Sequence, residues 1–221
     1  MAIIVTGGLG VLGRAVVSEL KERGTSVAVV DLAQAADSPA DVVLGGIDLG
    51  DENAVAAAYA DIAEKLGGID GLVNTAGGFL WETVAEGALA SWDRMYAMNV
   101  RTAVISSRAA LPHLRKNGGA IVNIGAAGAA KAAMGMGAYA ASKTGVMALT
   151  ESLADELRGQ NIRVNAILPT ILDTPTNRRD MPDADTSAWV RPEAAAKAIA
   201  FLLSADAGTI TGVGIPLSVK G

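Results

Sequence analysis

The feature that most constrains this chain is the regular alternation of short β-branched runs with longer helical segments. The runs predict strands at 2–6, 26–30, 41–47, 69–74, 120–124, 162–168 and 213–219. The segments between them predict helices at 11–23, 51–66, 91–116, 139–158 and 192–204, with Ser91 as the N-cap of the third. Strands that are apolar on both faces and joined by helices pair in parallel through right-handed crossovers. We therefore predict a single α/β domain over residues 1–221, with a doubly wound parallel sheet between two helical layers.

Composition excludes several functional classes. Of the 221 residues, 51% are hydrophobic, which excludes a disordered chain. There are 18 basic and 23 acidic residues and no basic block, so we expect no nucleic-acid partner. Cysteine is absent and His113 is the one histidine, which excludes disulfides and any two-histidine metal site or serine–histidine triad within one chain. We predict no metal site.

The hydropathy pattern and the first residues predict the cellular compartment of the protein. No apolar run approaches the roughly 18 residues that a membrane helix needs. The sequence opens on a predicted strand, which leaves no room for a secretory signal peptide. We therefore expect a cytoplasmic protein without a membrane partner.

A glycine-rich turn follows the first predicted strand and opens the first helix. It reads Thr6-Gly7-Gly8-Leu9-Gly10-Val11-Leu12-Gly13. Glycines let the backbone turn sharply and approach a pyrophosphate, while the helix N-terminus presents free N–H groups and the positive end of its dipole. A plain tight turn would look similar, but the strand before it and the helix after it favour a dinucleotide site in a Rossmann-type fold. The predicted cofactor contacts are Gly7, Gly10, Leu12 and Gly13.

Polar and small residues follow the next strands at the same predicted edge of the sheet. Asp31 stands where a carboxylate accepts hydrogen bonds from an adenosine ribose and repels a 2′-phosphate, which favours NADH over NADPH. Asp31 is also compatible with a plain surface position, and Asp48 with either an adenine contact or a turn. Asn74, Ala76 and Gly77 end the fourth strand and leave room for the cofactor, which we predict to be NAD.

Tyr139 and Lys143 lie four residues apart on the predicted helix at 139–158, so the phenol and the ammonium share a helical face. A nearby cation stabilises phenolate and is expected to lower the tyrosine pKa. The tyrosine then gives or takes a proton while a nicotinamide gives or takes a hydride. The same spacing is compatible with an exposed pair on a helix surface. The position after the fifth strand of a dinucleotide fold favours catalysis.

Together these motifs resemble the short-chain dehydrogenase/reductase family along nearly the whole chain. The resemblance rests on the glycine turn, Asp31, Asp48, residues 74–77, Asn99, the Tyr139–Lys143 motif and residues 163–166. It implies that Tyr139 is the acid/base, that Lys143 also binds the cofactor ribose, and that Asn99 holds a water in the proton relay. It further implies that Pro169 and Thr174 belong to the cofactor site, with Thr174 at the nicotinamide carboxamide. Family members associate through the two long helices, so we expect a homodimer or a homotetramer.

One position departs sharply from the family. The family's catalytic serine lies 13 residues before the tyrosine, where this chain has Ala126, and residues 125–138 contain no serine or threonine. Such a donor polarises a carbonyl oxygen, and its loss typically costs about 10²–10³ in rate. A subgroup of the family, the dihydropteridine reductases, lacks that serine, and the chain resembles it in the glycine turn and in residues 76–79, 125–130 and 172–189. We predict that the long irregular stretch at 169–191 is a substrate lid.

The resemblance to this subgroup implies an NADH-dependent reductase with Tyr139 as the proton donor. Its substrate would be a quinonoid dihydropterin or a similar flat quinonoid or imine. The predicted substrate contacts are Phe79, Ala126, Met181 and Trp189, each of which is also compatible with ordinary packing. Two alternatives stay open: a carbonyl reductase or alcohol dehydrogenase without the usual serine, and a non-catalytic NAD-binding sensor. An intact proton relay disfavours the sensor.

Overall fold

The computed structural model describes residues 1–34, 37–114 and 118–219, and its centre is a seven-stranded parallel sheet. The strands are β1 (Ala2–Thr6), β2 (Ser26–Val30), β3 (Val42–Leu44), β4 (Gly71–Asn74), β5 (Gly119–Ile124), β6 (Ile162–Pro169) and β7 (Gly214–Leu217). Their order across the sheet is β3-β2-β1-β4-β5-β6-β7, so the winding reverses between β1 and β4. Sheets of this kind bind ligands at such a reversal, outside the carboxyl ends of the strands.

Helices cover both faces of the sheet. They are α1 (Val11–Glu22), α2 (Glu52–Leu66), α3 (Leu89–Tyr96), α4 (Thr102–Leu114), α5 (Gly137–Glu156), α6 (Pro175–Asp180) and α7 (Pro192–Leu203). One buried apolar cluster joins α1 and α7 to the sheet through residues such as Val16 and Ile199. A second cluster joins α2, α4 and α5 to the other face through Ile62, Ile105 and Leu153. The predicted three-layer, doubly wound α/β fold is confirmed.

Strand β1 shows why a central strand must be apolar on both faces. Ile3 and Val5 belong to the cluster under α1 and α7, whereas Ile4 belongs to the cluster under α2, α4 and α5. Successive side chains of a strand point to opposite faces, so all three are buried. Burial of each such side chain contributes roughly 1.5–3 kcal/mol. Thr6, at the carboxyl end of the strand, is its first polar residue.

The long helix predicted over 91–116 is divided in the structure. Helix α3 begins at Leu89 after the N-cap Ala88, and the prediction of Ser91 as the N-cap is wrong. Ser91 lies in the first turn instead, where its backbone N–H donates to the Ala88 carbonyl. A π-helical turn at Ala97–Arg101 separates α3 from α4, and residues 115–117 lie outside the described ranges. Apolar spacing carries no information about such a turn.

Two other predicted segments differ in extent. Strand β3 has three residues instead of seven. Residues 45–47 do not extend it, since Gly46 adopts a φ of +73°, and at its start the Asp41 carboxylate accepts hydrogen bonds from the Val27 backbone N–H at 2.7 Å and from Lys21. The stretch at 169–191 is more ordered than a plain loop, since it contains α6 and a parallel bridge between Leu172 and Val190. Among the described helices, none has the length and apolar character needed to cross a membrane.

Candidate active site

The glycine turn links β1 to α1 at the reversal of the sheet. Gly7 has a φ of +64°, which residues with a side chain rarely adopt, and a Cβ there would lie 2.8 Å from the Ala76 nitrogen. A Cβ on Gly13 would collide with the Gly7 carbonyl oxygen. Gly10 is the N-cap of α1 and places no side chain over the helix end, while the Leu12 side chain lies in the buried cluster. The exposed backbone is what a pyrophosphate site requires.

A cavity of about 700 Å³ opens beside this turn. Its walls come from the turn, the ends of β2 and β4, the loop after β3 and the segment from α3 to α4. It is lined by six of the predicted cofactor residues, Gly7, Gly10, Asp31, Asp48, Ala76 and Gly77. The volume falls within the range of small-molecule sites. The bare backbone of the turn, the carboxylate after β2 and this volume fit the adenosine and pyrophosphate parts of NAD.

The two carboxylates of the cavity are held by backbone N–H groups. Asp31 accepts from the Leu9 N–H through Oδ2 and from the Ala33 N–H through Oδ1, each at 2.9 Å. A carboxylate has further lone pairs, so Asp31 can still accept from ribose hydroxyls. Asp48 accepts from the Gly50 N–H at 2.7 Å, and it therefore closes a turn as well as lining the cavity.

Asn74 lies behind the cavity wall and its side chain is not among the lining groups. Its Nδ2 donates to Ser107 Oγ at 3.2 Å and to Asn123 Oδ1 at 2.9 Å. Asn123 in turn donates to Thr150 Oγ1 at 2.9 Å. This buried network joins β4 and β5 to α4 and α5, and it fixes the position of the helix that carries Tyr139.

Helix α5 brings Tyr139 and Lys143 together. Lys143 Nζ donates to the Ile124 carbonyl at 2.8 Å and lies 5.9 Å from the centroid of the Tyr139 ring. Burial lowers the pKa of Lys143 to about 8. Burial also raises the pKa of Tyr139 to about 12, so the expected lowering of that pKa is wrong for this structure. Desolvation of the phenolate outweighs the field of the ammonium, and Tyr139 stays protonated at neutral pH.

Asn99 lies in the π-helical turn, and its side chain connects three segments. Its Oδ1 accepts from the Gly78 N–H at 2.9 Å, and its Nδ2 donates to the Gly78 carbonyl at 3.1 Å and to Ser142 Oγ at 2.9 Å. Ser142 donates to the Tyr139 carbonyl at 2.7 Å. The side chain of Asn99 therefore positions the loop after β4 relative to α5. Its part in holding a relay water stays a prediction.

Exposed apolar side chains form a wall beside Tyr139, which we call the aromatic wall (Phe79, Trp81 and Met134). The Phe79 ring packs edge-on against the Tyr139 ring, with centroids 4.9 Å apart, and is 56% exposed. Trp81 Nε1 donates to the Met134 carbonyl at 3.0 Å. Its indole covers Gly135, where a Cβ would collide with the ring and φ is +78°. These contacts hold the loop after β4 against the loop before α5.

Ala126 lies two residues after the end of β5 and is the N-cap of the short 3₁₀ turn at Ala127–Ala129. It is buried, and the bond from Lys143 to Ile124 ties the end of β5 to α5 two residues earlier. Thr144 on α5 donates to the Ala129 carbonyl at 3.5 Å on the other side of this turn. The structure therefore brings Ala126 next to α5, where it offers a methyl group and no hydroxyl.

Comparison with known proteins agrees with this geometry. The pattern of the short chain dehydrogenases matches residues 1–185. This chain belongs to the short-chain dehydrogenase family. Meso-2,3-butanediol dehydrogenase from Serratia marcescens is 32% identical over an alignment of 230 positions, gaps included. The alignment covers 97% of this chain and 92% of that protein. The family resemblance predicted from the sequence is confirmed.

Solved structures of family members superpose closely on this dehydrogenase. Aldohexose dehydrogenase from Thermoplasma acidophilum has a TM-score of 0.90 at 26% identity, covering 98% of this chain and 91% of that one. A 3-ketoacyl-(acyl-carrier-protein) reductase from Brucella melitensis, complexed with NADH, has a TM-score of 0.88 at 28% identity, covering 99% and 97%. The protein is an NAD(H)-dependent oxidoreductase that acts on a small molecule, as predicted.

The segment at 169–191, which the sequence predicts to be a lid, lies beside the glycine turn. Thr174 accepts from the Asn177 N–H at 3.1 Å as the N-cap of α6, and it lines a second cavity of about 430 Å³ together with Val11 of α1. Pro169 ends β6 and is buried. Met181 follows α6 and is half-buried, whereas Trp189 is 5% exposed. Neither lines the two cavities, and the burial of Trp189 favours its packing interpretation.

Several residues of the dehydrogenase site escaped the sequence analysis. Arg94, Met98 and Thr102 line the nucleotide cavity from α3, the π-helical turn and α4. Their spacing of four residues is visible in the sequence, but for the helix predicted over 91–116 the sequence indicated only subunit packing and the relay residue Asn99. Ser142 sits inside the Tyr139–Lys143 motif, and no spacing rule predicts its bond to Asn99.

Proposed function

We propose that this dehydrogenase is an NADH-dependent reductase that transfers hydride to a quinonoid dihydropterin, or to a similar flat quinonoid or imine heterocycle. The observation that carries the proposal is Ala126, because a methyl group stands where the family places its donor to a carbonyl oxygen. A quinonoid ring is already electron-poor, so it accepts hydride without an oxyanion that needs stabilising. The resemblance of residues 172–189 to the dihydropteridine reductases supports the same substrate class.

The residues of the site divide the chemistry between them. When bound, NADH supplies the hydride. Tyr139 holds a proton on its hydroxyl, and its raised pKa of about 12 keeps it protonated until a basic nitrogen of the substrate takes that proton. Lys143, through its bond to Ile124, fixes the catalytic helix at the end of β5. The aromatic wall offers Phe79 and Trp81 as surfaces on which a flat ring stacks. In this proposal residues 169–191 act as the lid.

The proposal includes a cofactor preference and an assembly. We propose that NADH is preferred over NADPH because Asp31 is fixed in the cavity by two backbone N–H groups and would repel a 2′-phosphate. We also propose a homodimer or a homotetramer. Supporting this, α3 exposes Leu89, Trp92 and Tyr96 at helical spacing, and exposed apolar patches mark association surfaces.

The deciding experiment measures NADH oxidation with quinonoid dihydropterin generated in place. Wild-type protein is compared with Tyr139→Phe and Ala126→Ser, and Tyr96→Phe on the exposed face of α3 is the matched control. We expect rapid wild-type turnover, a loss of about 10²–10⁴-fold in Tyr139→Phe, and no gain in Ala126→Ser. Tyr96→Phe should stay within about twofold of wild type.

Two other outcomes would replace this proposal. Turnover of ketones but not of the dihydropterin, with a gain of about 10²-fold in Ala126→Ser, would identify a carbonyl reductase or alcohol dehydrogenase that lacks the usual donor. NADH binding without oxidation in either assay would identify a sensor. The intact pair of Tyr139 and Lys143 argues against the sensor.

A further inference from the structure

The charged groups that line the nucleotide cavity differ in how they are engaged. Among the described lining residues these groups are Asp31, Asp48 and Arg94. Both carboxylates accept hydrogen bonds from backbone N–H groups, Asp31 from Leu9 of the glycine turn and from Ala33, and Asp48 from Gly50. The Arg94 side chain, by contrast, forms no hydrogen bond or ion pair with the described part of the chain. The cavity therefore holds one guanidinium whose donors are unused.

The ligand of this cavity carries more negative charge than the glycine turn can balance. A dinucleotide pyrophosphate has two negative charges, whereas a helix N-terminus supplies the equivalent of roughly half a positive charge. Asp31 and Asp48 add negative charge to the same cavity. A guanidinium is always protonated and presents paired donors that match two oxygens of a phosphate.

The fold places Arg94 across the cavity from the glycine turn. Helix α1 packs on the sheet face shared with α7, while α3 packs against α5, which covers the other face. Met98, one turn after Arg94, lies so close to Gly78 that a Cβ on that glycine would collide with the Met98 sulfur. This contact holds the π-helical turn, which continues α3, against the loop after β4. A ligand that crosses the sheet edge thus meets α1 on one side and Arg94 on the other.

We propose that Arg94 is a cofactor-binding residue that donates to the pyrophosphate of NAD(H) from the side opposite the glycine turn. The inference depends on the NAD(H) site and is independent of the substrate proposed above. It assigns a function to the cavity wall formed by the segment from α3 to α4, which no sequence motif marks.

The test measures equilibrium binding by calorimetry rather than turnover. The proteins are wild type, Arg94→Met, Arg94→Lys and the control Arg101→Met, which removes an exposed guanidinium of the π-helical turn that does not line the cavity. The ligands are NADH, NADPH, ADP-ribose and adenosine. Arg94→Met should raise the Kd of NADH and ADP-ribose by about 10–100-fold and leave that of adenosine within about twofold. Arg94→Lys should recover part of the loss, and Arg101→Met should match wild type.

Three results would overturn the assignment. One is a Kd for NADH and ADP-ribose that stays within about twofold of wild type in Arg94→Met. The second is an equal loss of adenosine binding, which would place Arg94 at the adenosine or in a structural role. The third is a loss confined to NADPH, which would place it at a 2′-phosphate. If the assignment is right, the difference in the Kd of NADH between wild type and Arg94→Met should become smaller as salt is added, because salt screens an exposed charge pair.

Discussion

At the scale of single residues, the buried ammonium of Lys143 lowers the stability of the folded chain. Its ammonium is buried and donates to the Ile124 carbonyl, and none of the ion pairs among the described residues includes it. Burial disfavours the charged form and lowers the pKa to about 8. Folding the protonated lysine at neutral pH therefore costs free energy that an apolar side chain of similar shape would not.

We predict that Lys143→Met raises the free energy of unfolding by about 1–3 kcal/mol near neutral pH and abolishes turnover. Between about pH 8 and the ordinary lysine pKa, the unfolded chain binds more protons than the folded one. Wild-type stability therefore rises with pH across that window, and the advantage of Lys143→Met should shrink. Urea unfolding below and above this pH window measures the free energy of unfolding of both proteins. A difference between them that does not change with pH would contradict this account.

Asp31 determines a second prediction at this scale. Replacing it by serine removes the charge that opposes a 2′-phosphate and one bond to the Leu9 N–H. We expect Asp31→Ser to raise the Kd of NADH by about tenfold and to lower that of NADPH. Asp48→Ala is the control, because alanine cannot accept the turn bond from the Gly50 N–H, and this variant should weaken the binding of both cofactors alike. Unchanged NADPH binding in Asp31→Ser would be evidence against the role of the carboxylate.

At the scale of elements, the aromatic wall depends on one glycine. A side chain on Gly135 would collide with the Trp81 indole at a backbone conformation that already disfavours it. Gly135→Ala should therefore displace Trp81 and raise KM for a flat substrate by about tenfold or more, with a smaller effect on kcat. Gly159→Ala is the matched control, since an added Cβ there meets nothing within 4 Å. Equal kinetics for the two variants would show that the wall does not contact substrate.

Element boundaries also show what the sequence predicts well and what it leaves out. Central strands were predicted closely, because burial on both faces forces unbroken apolar runs such as Ile3, Ile4 and Val5. The length of strand β3 was overestimated, since an edge strand gains less from pairing and Gly46, at a φ of +73°, lies just after its end. The sequence did not predict the π-helical turn. Asn99 in this turn bonds to Gly78 and Ser142, which are distant from it in sequence, and local spacing does not show such bonds.

The residues of the candidate site also fall into those that the sequence predicts and those that it does not. Glycines and the Tyr139–Lys143 pair have local requirements of conformation or spacing, so the sequence displays them. The pKa of Tyr139 depends on how deeply the fold buries the phenol, and spacing alone predicted its direction wrongly. Arg94 lines the cavity only because α3 packs against α5, which is a property of the assembled layers.

At the scale of the whole molecule, the exposed face of α3 predicts association. Trp92→Glu introduces a charge among Leu89, Trp92 and Tyr96, and we expect it to convert the oligomer to a monomer of 22.3 kDa. Light scattering after size-exclusion chromatography measures the mass. Lys65→Glu, a charge reversal on α2, should leave the mass of the wild-type assembly unchanged. A wild-type protein that is already monomeric would refute the proposed assembly.

The π-helical turn has a consequence for the phase of the helix around its axis. In a continuous α-helix, residues eight positions apart differ by about 80° in direction. The wider turn at 97–101 accommodates one extra residue, so Arg94 and Thr102 are related as if seven apart, within about 20°. Both can then face one cavity while Asn99 points to Gly78 and Ser142. The extra residue thus lets side chains of one helical segment point in two directions, some into the cavity beside the glycine turn and one towards Gly78 and Ser142.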